Sequence, residues 1–112
     1  MAKAVGSQPK SVRWTPKAIA TYIEVLKYLR KEWTAREEQR FVDEVEDTIR
    51  YIVLFPKGFR SAGHARLREA SVKPYNILLY RIDRRAIVII GLFDMRRHPK
   101  YLRQMKRGWK EA

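Results

Sequence analysis

The sequence contains no cysteine among its 112 residues. That excludes a disulfide framework, a thiolate metal centre and a cysteine nucleophile together. Nor does it hold an apolar run near the roughly 20 residues that span a bilayer, so no membrane partner is expected. The first ten residues, MAKAVGSQPK, lack the apolar stretch of a secretory signal. The expected location is the cytoplasm. No internal repeat is visible, and the length suits one domain with a two-layer core.

Acid is the other shortage. Lys and Arg number 25 against 12 Asp and Glu, for a net charge of +13. Half of the acids, Glu37, Glu38, Asp43, Glu44, Glu46 and Asp47, crowd into residues 34–50 beside only Arg36, Arg40 and Arg50. The rest of the chain therefore carries 22 basic against 6 acidic residues. Such an excess predicts a polyanionic partner: nucleic acid, a nucleic-acid machine or an acidic protein. The plain alternative is a cationic surface with no specific use. The acidic segment reads as the solvated back of the molecule, facing away from any polyanion.

What is present is organised around residues 73–97. Two β-branched and aromatic runs, 75–82 and 85–93, flank Asp83-Arg84, a connection of hairpin length. Asp-Arg is not a favoured turn pair, so distortion at the turn is expected. The second run is almost wholly apolar, which suits a strand covered on both faces. It ends abruptly in Asp94-Met95-Arg96-Arg97-His98-Pro99, a strand exit where a site is expected.

From the start of the chain, residues 1–10 read as a flexible leader and residues 11–14 as a short strand. Thr15-Pro16 opens a helix, with threonine as N-cap and proline in the first turn. Its apolar stripe is Ile19, Tyr22, Ile23, Leu26, Leu29 and Trp33, ending near Glu32. Thr34-Ala35-Arg36-Glu37 is a capping-box pattern that opens a second helix. That helix carries Phe41, Val42, Val45, Ile49, Ile52 and Val53 on one side and stops at Pro56 and Gly58. The short link makes the two helices an antiparallel hairpin. Residues 56–64 read as an exposed, mobile loop, and Arg66-Leu67-Arg68-Glu69 as a strand beside the hairpin. The expected fold is α+β: a helical hairpin on a small antiparallel sheet, in the order β-α-α-β-β-β, occupying residues 11–99. A basic tail follows over 100–112, either a short amphipathic helix or a disordered extension.

These residues carry a resemblance. Trp14-Thr15-Pro16 leads into a helix with Ala18-Ile19, Tyr22-Ile23, Leu26 and Leu29, and a second helix ends in Phe55-Pro56. Then come Arg66-Leu67-Arg68, the strand Tyr75-Asn76-Ile77-Leu78-Leu79-Tyr80-Arg81-Ile82, and the closing Arg96-Arg97-His98-Pro99. Over residues 12–101 this resembles the RelE/ParE superfamily, toxins of bacterial type II toxin–antitoxin pairs. The resemblance implies the same fold and a small antitoxin whose acidic segment wraps the toxin in a hetero-oligomer.

The superfamily has two branches. A RelE-like toxin enters the ribosome and cleaves mRNA, with basic groups holding the scissile phosphate and a tyrosine or second base moving a proton. Arginine suits the first role because it stays charged and binds phosphate oxygens as a fork. By that resemblance the catalytic candidates are Arg68, Arg81, Arg97 and Tyr101. A ParE-like toxin performs no chemistry and poisons DNA gyrase by stabilising its cleaved-DNA complex. The Tyr75–Ile82 strand and the Arg-Arg-His-Pro ending look more like that branch. The loop lysine Lys57 is isolated, and the spacing from Arg97 to Tyr101 is short for the RelE-like pattern.

Whichever branch applies, contacts to target or nucleic acid are expected at Arg66, Arg68, Arg96, Arg97, Lys100 and Arg103. Several of the candidates have an ordinary reading beside the functional one. Arg66 and Arg68 suit solvated strand positions or antitoxin contacts, Arg81 a side chain reaching the surface or an ion pair with Glu69, and Tyr101 packing of the tail. His64 and His98 stand far apart with no third ligand, so no metal and no cofactor is expected. A basic RNA- or ribosome-binding module without toxicity is the reading from outside the toxin class.

Overall fold

The computed structural model describes residues 11–64, 66–73, 75–96, 100 and 103. The expected leader at 1–10 and most of the basic tail lie outside them. Two helices pack on one face of a five-stranded sheet, an α+β arrangement in the order β-α-α-β-β-β-β. The strands are β1 (Ser11–Trp14), β2 (Arg60–His64), β3 (Leu67–Val72), β4 (Asn76–Ile82) and β5 (Ala86–Asp94). Their order across the sheet is β1-β5-β4-β3-β2. The sheet is mixed rather than purely antiparallel, because β1 runs parallel to β5, with Ser11 opposite Ala86 and Trp14 opposite Ile89.

Local chemistry sets the helix boundaries. In α1 (Pro16–Glu32) the Thr15 hydroxyl accepts the Ala18 N–H, and Pro16 stands where a missing donor costs nothing. In α2 (Ala35–Leu54) the capping box closes: Thr34 Oγ1 accepts the Glu37 N–H while Glu37 accepts the Thr34 N–H. Pro56 then diverts the chain into a short 3₁₀ turn, Pro56–Gly58.

The face that α1 buries is rotated from the expected stripe. Ala18, Thr21, Val25 and Leu29 point inward, whereas Ile19 and Ile23 are about half exposed. The cause lies on β5. Strand β1 ends at Trp14, so beyond Ile89 the outer edge of β5 has no strand partner. Threonines fill the gap: Thr15 N–H donates to the Ile89 carbonyl, the Thr15 hydroxyl to the Ile90 carbonyl, and Thr21 Oγ1 accepts the Leu92 N–H. An edge buried under a helix must have its donors and acceptors met, and only the Ala18/Thr21 side of α1 provides for it.

Every residue of β5 is buried, as its apolar run predicts. Ile87, Ile89 and Leu92 join Leu78, Tyr80, Ala70, Val72 and the inner faces of both helices in the main core. A second cluster lies on the opposite face of the sheet: Ala62, Leu67, Leu79, Ile90 and Phe93. A β-bulge divides β5 between the two, since Tyr80 pairs with Ile89 but Leu79 with Gly91, leaving Ile90 as the extra residue. Gly91 is required for space. A Cβ there would sit 2.5 Å from the folded-back ring of Phe93.

Two further expectations need correction. The stretch 56–64, read as a loop, contains edge strand β2, paired antiparallel to β3. Gly63, at φ 89°, lies in the irregular part of that pairing, so a glycine that suggested a loop marks a bulge instead. The hairpin turn is centred on Arg84-Arg85, one residue later than expected, with Asp83 N–H donating to the Ala86 carbonyl. No described non-glycine residue has positive φ, so the favoured primed turn types are absent and the distortion is real.

Candidate functional site

The expected site residues separate into three places, and the sheet explains why. Arg68 pairs with Tyr80 and Leu67 pairs with Arg81. Side chains alternate between faces along a strand. Arg68 therefore shares the helix-bearing face with Ala70 and Val72, whereas Arg81 shares the opposite face with Leu67 and Leu79. The two arginines stand on opposite sides of the sheet.

On the helix side, Arg68 is half-buried and donates to the Phe59 carbonyl at 2.9 Å. Beside it the Tyr80 hydroxyl donates to the Pro56 carbonyl at 2.6 Å, and the Phe59 and Tyr80 rings meet edge to face. Burial pushes the Tyr80 phenol up to about 12, with the Arg68 charge pulling it down less strongly. A phenol so placed keeps its proton at neutral pH and serves as a structural donor rather than a base. Both groups fasten the 3₁₀ turn to the sheet.

At the hairpin tip, Arg81 grips Asp83 with both arms of its guanidinium, Nε to Oδ1 at 2.9 Å and NH2 to Oδ2 at 3.0 Å. Arg66, in the turn before β3, reaches the same carboxylate at 3.5 Å. The hydrogen bond from Arg81 holds the Asp83 carboxyl below its usual range. Burial opposes this, and the charges of Arg81, Arg66 and Arg13 add to it. Glu69, on the same face as Arg81, lies 3.3 Å from Arg60. Arg13, Arg84 and Arg85 complete a cleft of about 570 Å³ in which five arginines surround the single acid Asp83.

The third place is the exit of β5. The Arg96 guanidinium stacks 3.8 Å over the Tyr75 ring, and its backbone N–H donates to Asp94 Oδ1 at 2.9 Å. Stacking of this kind suits the flat guanidinium. Lys100 and Arg103 are helical and exposed. Arg97 and Tyr101 lie outside the described residues, as does His98. Asn76, opposite Asp94 at the exit, and Arg81 at the tip lie about 17 Å apart along β4 at 3.4 Å per residue, so the exit and the hairpin tip are separate places.

Three arginines were missed from sequence, namely Arg13, Arg84 and Arg85. The signal was present for two of them: Arg81, Arg84 and Arg85 follow one another around Asp83, the only acid in the turn. Arg13 joins them only through the parallel β1–β5 pairing, which no local pattern reveals. Among the described residues no group of three or more His, Asp or Glu is placed to hold a metal ion.

A family model described as the ParE toxin of the type II toxin–antitoxin system parDE matches residues 12–99. No curated protein matches significantly. Among solved structures, the chromosomal ParDE system of P. aeruginosa is similar with a TM-score of 0.66 at 13% identity, over 77% of this chain and 96% of that one. The YoeB dimer of Staphylococcus aureus gives 0.54 at 14%, over 75% and 94%. A copper-bound mutant toxin of Helicobacter pylori gives 0.52 at 16%, over 81% and 97%. At these identities the structures attest the fold alone. With the helical hairpin, the mixed sheet and the arginine-lined tip already placed, the match over residues 12–99 makes this chain a member of the ParE toxin family of type II toxin–antitoxin systems.

Proposed function

We propose that this toxin is of the gyrase-poisoning kind: it performs no bond-breaking chemistry and inhibits growth by stabilising gyrase on cleaved DNA. The observation that carries the reading is the division of its arginines. A phosphate-cleaving site needs its cations and its proton carrier within about 3 Å of one reacting group. Arg68 and Arg81 occupy opposite faces of the sheet, and Tyr80, beside Arg68, is locked to the Pro56 carbonyl with its proton held up to about 12. The family model that matches is the ParE one, which supports the same reading. Membership implies a cognate antitoxin, and the net charge of +13 suits one whose acidic segment wraps the toxin into a cytoplasmic hetero-oligomer. No described helix is long and apolar enough to cross a membrane.

Induced expression in a bacterial host, with mRNA cleavage and the DNA-damage response followed together, tests the proposal. An SOS response with intact mRNA is the expected result. Rapid codon-linked mRNA cleavage without that response would make the protein a ribosome-dependent nuclease. Growth without inhibition would turn the reading to a non-toxic basic module.

A further inference from the structure

The arginine cleft at the hairpin tip does not stand alone. Arg66, Asp83 and Arg84 also line a second cleft of about 940 Å³, whose floor is apolar: Phe55, Pro56 and Ile82. Phe55 caps the C-terminus of α2 with 61% of its surface exposed. The two clefts share Arg66, Asp83 and Arg84, so a cationic surface on one side of the hairpin tip and an open aromatic ring on the helix side meet around the tip.

We propose that this surface binds single-stranded nucleic acid bent around the tip, its phosphates held by the turn residues Arg84 and Arg85 and one unstacked base lying on Phe55. Single strands are bound without sequence preference by just this pairing, a cationic track beside an aromatic platform. Guanidinium forks match phosphate oxygens, and a base face matches the ring. A duplex keeps its bases stacked and would use only the cations. An acidic peptide would satisfy the arginines and leave Phe55 without a partner. Asp83 does not neutralise the site, because five arginines surround its one carboxylate. The inference holds whether the toxin meets its target at gyrase or elsewhere, since it concerns the toxin's own surface.

The test is fluorescence anisotropy of a short labelled oligothymidylate with the full-length protein, across a salt series. Replacing both Arg84 and Arg85 by Ala should weaken binding at least about tenfold and reduce the slope of log affinity against log salt by about 1.4, the share of two phosphates on a single strand. Phe55→Ala should cost about tenfold at every salt concentration with the slope unchanged, and Phe55→Trp should restore affinity. The charge-matched control is Lys27→Ala with Lys31→Ala on the outer surface of α1, which should change affinity much less. Circular dichroism checks that each variant is folded, as these exposed positions allow. A loss in the α1 control equal to that of the arginine pair would overturn the proposal, because binding would then be diffuse. So would an unaffected Phe55→Ala variant, or displacement of the oligonucleotide by poly-glutamate more readily than by unlabelled oligothymidylate.

Discussion

Tyr80 illustrates how one side chain fastens a loop and also reports on it. Its ring is wholly buried and its hydroxyl meets the Pro56 carbonyl. The folded protein holds the phenolic proton more tightly than the unfolded chain, up to about 12 against 10.0. This contribution to stability is complete below pH 10 and is lost as pH rises from there towards 12. Denaturant unfolding at stepped pH should show that decline. Tyr80→Phe should be less stable by about 1 kcal/mol at neutral pH, having lost a hydrogen bond, and should lack the tyrosine's share of the alkaline decline. Arg81 is the counterpart on the other face. Read from sequence as a surface position or a partner for Glu69, it holds Asp83, two residues along and just beyond the strand, with both guanidinium arms.

Among the elements, α1 shows where the sequence was legible and where it was not. Its boundaries follow from Thr15, Pro16 and the capping box after it, all local effects, and the structure keeps them. Its inward face was misread, because the stripe through Ile19 and Ile23 is the more apolar side, yet both are about half exposed. The choice is made by β5, whose Leu92 N–H needs the Thr21 hydroxyl. Thr21→Val, nearly isosteric, should therefore leave a buried donor without its acceptor and cost about 1–3 kcal/mol, measured by thermal or denaturant unfolding. A loss near zero would show that packing rather than the hydrogen bond orients the helix. Strand β2 was missed for a related reason: Gly63 looks like a loop residue until its bulge is seen against β3.

The acids of α2 are partly employed within the fold, Glu37 in the capping box and Glu38 in a pair with Arg30 at 2.8 Å. Glu38→Lys combined with Glu44→Lys should cost at most about 1 kcal/mol, as exposed pairs do, and leave growth inhibition unchanged. Colony counts after induction, beside thermal melts, check both halves. A large loss of toxicity in a stable variant would show that this surface engages the target.

At the level of the whole molecule, the charge excess was plain from composition, but its placement was not. The sequence grouped the arginines by neighbourhood along the chain, and the sheet redistributes them to two faces and two ends. Arg66 and Arg81, 15 positions apart, meet at Asp83, while Arg68, two positions from Arg66, turns to the helix side. Register is a property of pairing between strands, so a single strand's pattern reveals which residues share a side but not which arginines share a cleft. The prediction at this scale is that the +13 charge alone gives weak, steeply salt-dependent nucleic-acid binding. Any affinity that survives physiological salt should then depend on the hairpin tip, as the Arg84/Arg85 variant will report.

The parallel pairing of β1 with β5 bears on how the toxin comes into being. Ser11 is made 75 residues before its partner Ala86. Closing so long a loop is a slow step, and β5 supplies the centre of both apolar clusters. The sheet therefore closes only after β5 has been made. A cell making this chain holds no finished toxin until that strand emerges, which gives an antitoxin already present time to meet it.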